Sequence, residues 1–163
     1  RFLSIITGIV VVFAHTPDGL EKTLESLAPA ARARGGKLWV VFGCGGDRDP
    51  GKRPMMGEIA AKLAERVVVT SDNPRSEPPE AICRAVEAGA RRVESASPVD
   101  VIVDRREAVI HAVLEAEPRD IVLVAGKGHE TEQITREGAH HFSDVEVLRE
   151  AFNERRVRLL AKA

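Results

Sequence analysis

Short apolar runs alternate along the chain with longer segments in which apolar residues recur every three or four positions. The short runs are rich in Val and Ile and predict buried strands at residues 8–14, 38–42, 66–70, 99–103 and 120–125. The helical stripes between them comprise Leu20, Leu24 and Leu27; Met56, Ile59, Ala60 and Leu63; Ala81, Ile82, Ala85 and Val86; and Val109, Ile110 and Val113. This alternation predicts a doubly wound, Rossmann-like α/β domain. We expect a mostly parallel sheet of about five or six strands, flanked by helices, with one antiparallel edge strand.

Several helices carry start signals. Thr16 is placed as an N-cap before Pro17 at the first helical position. Residues 104–107 (DRRE) and 143–146 (SDVE) both match the capping box, and Pro78-Pro79-Glu80 begins a helix predicted over 78–90. For the Asp-Arg-Arg sequence of the first box, a shared role in a ligand site is the alternative to capping.

A hairpin is predicted around Glu137-Gly138, between residues 132–136 and 139–142. His140 and His141 fall next to its turn, where we expect them to be exposed. The sequence predicts no metal site there.

Composition narrows the class of protein. The 163 residues fit one domain that needs no metal or disulfide to fold, and 24 basic against 25 acidic residues give no sign of nucleic-acid binding. Tyr is absent, no apolar run is long enough to span a bilayer, and Cys44 and Cys83 lack metal-ligand spacing. We expect a reduced, cytoplasmic protein without membrane or nucleic-acid partners. Because the chain starts at Arg1 rather than Met, we also expect a fragment of something longer.

Four polar loops follow predicted strands, at residues 15–18, 43–52, 72–75 and 126–130. Parallel strands place their carboxyl ends at one edge of the sheet, and ligands of open α/β sheets bind in the crevice beyond that edge. We therefore expect the four loops to meet at one site.

The loop at 72–75 has the most specific chemistry. Arg75 offers a planar charged fork for a carboxylate, Asp72 can accept from an ammonium group, and Asn73 can do either. Together they describe a receptor for a zwitterion such as an amino acid. The alternative is a plain turn, since Asn-Pro is a common turn initiator.

Two further loops carry charge. Residues 43–54 are glycine-rich and bring Arg48, Lys52 and Arg53 together, without matching a P-loop or a dinucleotide fingerprint. Residues 126–130 (GKGHE) could bind a charged ligand or shuttle a proton through Lys, His and Glu. An ordinary basic connection and a solvated turn are the respective alternatives.

Four strings carry a family resemblance: AHTPD, VFGCGGDRD-x-GKRP, TSDNPRSE-x-P and VLVAGKGHE. In this order and spacing the chain resembles the C-terminal domain of MurE-type Mur ligases, the UDP-N-acetylmuramoyl-tripeptide synthetases. The resemblance runs from about Val10 to Phe152. DNPR is the family's mark for meso-diaminopimelate, whereas lysine-adding relatives carry a different residue where Arg75 stands.

The resemblance implies an ATP-dependent amide ligase of peptidoglycan synthesis. In such enzymes ATP phosphorylates the D-Glu carboxylate of UDP-MurNAc-L-Ala-D-Glu, and an amine of the diamino acid attacks the acyl phosphate. The C-terminal domain supplies the diamino-acid pocket and closes over ATP. The residues implied for that pocket are Arg48, Asp72, Asn73, Arg75, the carbonyl of Gly126, and Glu130; His15 and Lys52 would lie toward ATP.

The chain also departs from the family pattern. The family usually has Asp-Tyr before Ala-His, where this chain has Val12-Phe13, so a carboxylate expected near the nucleotide is absent. The P-loop and the N-terminal and central ATPase domains are absent too, so the resemblance implies residues 1–163 as a single C-terminal domain without catalytic residues, inactive by itself. ATP and Mg²⁺ would serve the full-length enzyme and UDP-MurNAc-L-Ala-D-Glu would bind through the missing domains, leaving meso-diaminopimelate as this fragment's ligand. The alternatives are a non-catalytic amino-acid-binding module and a generic nucleotide-binding α/β protein.

Overall fold

A computed structural model describes residues 8–94 and 97–162. Seven strands lie in this part of the chain: β1 Gly8–Val12, β2 Leu38–Phe42, β3 Arg66–Val69, β4 Val99–Val101, β5 Ile121–Ala125, β6 Glu132–Thr135 and β7 Gly138–His141. The helices of the same part are α1 Pro17–Ala33, α2 Lys52–Leu63, α3 Pro79–Arg91, α4 Arg105–Glu115 and α5 Asp144–Ala161.

Strands β1 to β5 form one parallel sheet in the order β1-β5-β2-β3-β4, as the alternating pattern predicts. The predicted antiparallel edge strand is wrong for the described residues. Strands β6 and β7 pair only with each other, in a separate two-stranded sheet. Outside this pairing, Ile134 O of β6 accepts from Arg75 N at 3.0 Å, so β6 lies against the loop after β3 rather than against the parallel sheet.

Two hydrophobic layers cover the two faces of the sheet. Leu38, Val40 and Phe42 of β2 pack with residues of α1, α2 and α3, whereas Trp39 and Val41 pack with residues of α4 and α5. All five side chains are almost completely buried. Alternation along a strand that is covered on both sides explains why β2 is apolar at every position.

The predicted helix caps are confirmed. Thr16 Oγ1 accepts from Gly19 N, Asp104 Oδ1 from Glu107 N, and Ser143 Oγ from Glu146 N. Each bond satisfies one N–H group that the first helical turn leaves without a partner. The three caps fix where the loops of the sheet edge give way to α1, α4 and α5.

Three strands end earlier than predicted: β1 and β4 by two residues, and β3 by one, at Val69. After Val12 the chain makes a tight turn, in which Ala14 N donates to Val12 O. Near β4, Val103 O accepts from the Thr70 and Ser71 hydroxyls instead of from a strand. The ladder therefore stops at Val12 in β1 and at Val101 in β4. Within the described residues, no helix is long and apolar enough to cross a membrane.

Candidate functional site

A cavity of about 380 Å³ lies beyond the carboxyl ends of the strands. Loops that follow β1, β2, β3 and β5 contribute its walls. All eight residues predicted for ligand binding line it: His15, Arg48, Lys52, Asp72, Asn73, Arg75, Gly126 and Glu130. The convergence expected from parallel topology is present, and the four loops share one space.

The loop after β3 is held in an unusual conformation at Arg75. Its φ is 51°, in the left-handed region that disfavours residues with a Cβ. The backbone N–H of Arg75 donates to Ile134 O at 3.0 Å, and its guanidinium donates to Gly46 O at 2.9 Å. The second bond holds the guanidinium at the cavity. Glu77 N also donates to Pro74 O at 3.0 Å, so the loop contains the turn that the sequence offered as the alternative, and its Arg75 side chain still lines the cavity.

Two guanidinium groups at the cavity have room for an anionic partner. Among residues 8–94 and 97–162, no carboxylate lies within ion-pair distance of Arg75 or Arg48. The Arg48 side chain is exposed and donates only to the neighbouring carbonyl of Asp47, at 2.9 Å. A ligand carboxylate can therefore pair with either group without displacing a protein carboxylate.

Glycines allow the loops to approach each other closely. Gly46 N donates to Asn73 O at 2.8 Å, and a Cβ on Gly46 would lie 1.9 Å from Pro74 O. At the other side of the cavity a Cβ on Gly126 would lie 2.6 Å from Asp72 Oδ2. The glycines thus bring the backbone of one loop against the polar groups of the next.

Asn73 is buried, and the oxygen of its side-chain amide is already hydrogen-bonded within the protein. Oδ1 accepts from Lys127 Nζ at 2.8 Å and from Ile134 N at 3.0 Å. The sequence left open whether Asn73 donates or accepts in a site. With Oδ1 occupied by two donors, the amide nitrogen is the group left to act on a ligand, and it can only donate.

The loop after β5 differs from its sequence interpretation. The sequence left open whether Lys127, with His129 and Glu130, serves a charged ligand or a solvated turn, but its side chain is completely buried and does not line the cavity. Burial lowers the pKa of Lys127, against the opposing effect of Asp72. Of Lys127, His129 and Glu130, only Glu130 lines the cavity.

Arg53 is a second correction. The sequence placed it with Arg48 and Lys52 as positive charge for a ligand, but it is buried and paired with Glu77 through contacts of 2.7 and 3.1 Å. Glu77 also accepts from the backbone N–H of Asp47 at 2.6 Å. These bonds lower the pKa of Glu77 and tie the glycine-rich loop to the loop after β3.

Arg105 is the residue that sequence analysis missed most clearly. The guanidinium is completely buried, donates to both oxygens of Asp144 at 2.8 Å, and reaches Ser71 O and Ala125 O at 2.9 and 3.2 Å. Ser71 and Ala125 directly precede Asp72 and Gly126. Arg105 therefore joins the ends of two site strands from behind the cavity.

Aromatic and sulfur groups complete the walls. The rings of Phe13 and His15 are 4.6 Å apart, and the Phe13 side chain is 60% exposed. Cys44 lies against the Met56 sulfur, and burial raises the pKa of its thiol to about 12. A thiol with that pKa stays protonated at neutral pH, so Cys44 is a wall of the cavity and not a nucleophile. Lys52 is the first residue of α2, which has no side-chain cap.

The fold is an α/β domain whose cavity, at the carboxyl edge of the sheet, is lined by side chains of both signs of charge. The chain belongs to the Mur ligase family: the family described as Mur ligase, glutamate ligase domain, matches residues 4–128.

Similar proteins share a name. A Ralstonia nicotianae protein named UDP-N-acetylmuramoyl-L-alanyl-D-glutamate–2,6-diaminopimelate ligase is 53% identical over 149 residues, which cover 91% of this chain and 28% of that protein. A Chlorobaculum tepidum protein of the same name is 56% identical over 144 residues, which cover 88% and 27%. A solved structure of a ligase with that name matches with a TM-score of 0.80 and 43% identity, covering 91% of this chain and 29% of its own. The chain thus spans less than a third of the length of these relatives.

Proposed function

We propose that this chain is the amino-acid-binding C-terminal domain of an ATP-dependent ligase that adds meso-diaminopimelate to UDP-MurNAc-L-Ala-D-Glu in peptidoglycan biosynthesis. The observation that supports this proposal most directly is the arrangement of charged side chains in the cavity. Arg75 and Arg48 face it without carboxylate partners among the described residues, and Asp72 and Glu130 line the same space. The names of relatives more than 50% identical to the chain support the same ligand.

The charges complement a diamino diacid. A carboxylate of meso-diaminopimelate would accept from the fork of Arg75, with Arg48 and the amide nitrogen of Asn73 as further donors. One ammonium group would be held by Asp72, Glu130 and the carbonyl of Gly126. Lysine has one carboxylate fewer and would leave a guanidinium unpaired, which provides the basis for discrimination.

In this account the domain contributes positioning. Fixing one end of the diamino acid leaves its other amino group free to attack an activated carboxylate of the second substrate. None of the cavity residues is needed as an acid, a base or a covalent nucleophile in this role. We therefore assign no catalytic residue to the chain, and we expect residues 1–163, taken as one domain, to be inactive by themselves.

ATP and Mg²⁺ would be cofactors of the complete ligase. The exposed His15 ring and Lys52 at the uncapped start of α2 fit a contact with part of a nucleotide, because a helix start and an ammonium group both favour anions. The chain has no P-loop to cradle the phosphates. When bound, ATP supplies the phosphoryl group that activates the acceptor carboxylate. UDP-MurNAc-L-Ala-D-Glu would bind mainly to the other domains of the ligase. We expect the complete enzyme to be cytoplasmic.

A chimeric ligase tests the proposal, with this chain replacing the corresponding part of the Ralstonia nicotianae relative. We expect Arg75→Ala to raise the KM for meso-diaminopimelate by about tenfold or more, as for a lost charge-assisted hydrogen bond, and to leave the KM for ATP within about twofold. Arg84→Ala, at an exposed position of α3, is the matched control. Equal increases in both KM values would contradict the assignment of Arg75 to the diamino-acid pocket.

A non-catalytic amino-acid-binding module is the second candidate. It is favoured by one observation: the whole cavity is formed within a chain that spans less than a third of its relatives. This candidate predicts the same ligand preference for the isolated chain, but no ligase activity in the chimera.

A further inference from the structure

Lys127 lies directly behind the cavity and touches several residues that line it. Its ammonium group donates to Asn73 Oδ1 at 2.8 Å and to the backbone carbonyl of Glu132 at 2.9 Å. It also lies 3.8 Å from Asp72 Oδ1 and 3.7 Å from Glu130 Oε2. A ligand in the cavity would not touch Lys127, because its side chain is completely buried. Three residues that would touch the ligand are nevertheless in contact with it.

The first consequence concerns charge. Asp72 and Glu130 together bring two negative charges to one side of the cavity, and Lys127 brings one positive charge between them. Arg105 does not change this balance, since its charge is paired with Asp144. One net negative charge remains, which matches a single ammonium group of a ligand. Without Lys127 the two carboxylates would lose the positive charge that lies within 4 Å of each of them.

The second consequence concerns the hairpin β6–β7. Lys127 holds the start of β6 through the carbonyl of Glu132. The next two residues bind the loop after β3: Gln133 Nε2 donates to Asp72 O at 2.7 Å, and Ile134 bonds to Asn73 through its N–H and to Arg75 through its carbonyl. The strained backbone of Arg75 is therefore secured by a strand that Lys127 anchors.

We propose that Lys127 is a positioning residue for diamino-acid recognition: its positive charge offsets one of the two negative charges of Asp72 and Glu130, and its hydrogen bonds hold Asn73 and the hairpin so that Arg75 keeps its ligand-binding conformation. This inference rests on the proposed function for the identity of the ligand. It adds a residue that acts through others, without touching the ligand.

Calorimetric titration of the chain with meso-diaminopimelate distinguishes this positioning role from a purely structural role of Lys127. Lys127→Met removes the charge and both hydrogen bonds while keeping most of the volume. We expect it to raise the Kd by tenfold or more with the number of sites per chain unchanged. Lys62→Met, at an exposed position of α2, should leave the Kd unchanged. A structural role alone would lower the number of competent sites at unchanged Kd, and that result would overturn the proposal.

Lys127→Gln provides the test if the Met variant does not fold, since its amide can still donate to one neighbour. It should also raise the Kd, because the positive charge is lost. A wild-type Kd in Lys127→Gln would overturn the charge argument.

Amide hydrogen exchange tests the supporting role without any ligand. In Lys127→Met, or in Lys127→Gln if only that variant folds, the amides of Arg75 and Ile134 should exchange at least tenfold faster, while those of β2 keep their wild-type rates. Unchanged exchange at both amides would overturn the inference. If the wild-type chain binds no diamino acid, the proposed function fails, and the exchange data still decide whether Lys127 holds the loop.

Discussion

Arg105 and Asp144 form a two-bonded ion pair in which both side chains are completely inaccessible to solvent. The pair joins the start of α4 to the start of α5. The same guanidinium holds the carbonyls of Ser71 and Ala125, which precede the polar residues of two site loops. The C-terminal helix and the ligand cavity are therefore connected through one arginine.

Removing that arginine should be costly. We expect Arg105→Met to lower the free energy of unfolding by about 3–5 kcal/mol, because it leaves the carboxylate of Asp144 buried without its partner. Arg106→Met is the matched control: Arg106 pairs with Glu150 at the surface and should change stability by less than about 1 kcal/mol. Urea unfolding at pH 7 measures both. Similar losses in the two variants would show that the buried ion pair contributes no more to the free energy of unfolding than the surface pair.

Two substitutions of Arg75 distinguish the effect of its backbone conformation on stability from the effect of its side chain on binding. Arg75→Gly relieves the positive φ of 51°, whereas Arg75→Ala keeps it. We expect the Gly variant to be more stable than the Ala variant by roughly 1 kcal/mol, and both to lose affinity for meso-diaminopimelate equally. Thermal unfolding and calorimetry give the two numbers. An Ala variant at least as stable as the Gly variant would contradict the assigned backbone strain.

The contact between Gly126 and Asp72 predicts a position-specific effect. Gly126→Ala imposes strain at φ 121° and places a methyl group 2.6 Å from the carboxylate. Gly138→Ala imposes similar strain at φ 112°, with nothing within 4 Å. Both should lose about 1–3 kcal/mol of stability, but only Gly126→Ala should raise the Kd for the diamino acid. An equal effect of the two on binding would rule out the contact as the cause.

The Arg53–Glu77 contact should make stability depend on pH. Hydrogen bonds from Arg53 and from Asp47 N hold the pKa of Glu77 below its ordinary value of 4.5. The stabilisation is fully present above that value and is lost as the pH falls through the lower pKa of the folded protein. We expect Glu77→Gln to be less stable at pH 7 and to lose less stability than the wild type on acidification. If the free energy of unfolding fell by the same amount in both proteins between pH 6 and pH 3, this prediction would be contradicted.

The fold and the members of the site follow from local sequence signals. Thr16, Asp104 and Ser143 cap helices as predicted, because an N-cap uses only the next three residues. The eight predicted ligand residues share one cavity because parallel strands end on the same edge. Neither inference needs knowledge of contacts distant in sequence.

Burial of charge could not be predicted in the same way. Arg53 and Lys127 were given as charged groups that could serve either a ligand site or a solvated loop, and Arg105 was placed in a capping box, yet all three are buried. An isolated sequence shows that a residue is charged but not which partner removes it from water. The partner of Arg105 follows 39 positions later, inside a pattern that also satisfies a capping box. Likewise, the antiparallel hairpin was predicted correctly, but its docking on the loop of Arg75 depends on long-range contacts.

Calorimetric titration of the chain with meso-diaminopimelate and, in parallel, with L-lysine tests the central claim most directly. The account predicts one meso-diaminopimelate per chain, with lysine at least about a hundredfold weaker because one guanidinium stays unpaired. Arg75→Ala should abolish most of that difference, and Arg84→Ala should preserve it. Equal affinity for the two amino acids, binding of neither, or discrimination that survives in Arg75→Ala would contradict the account.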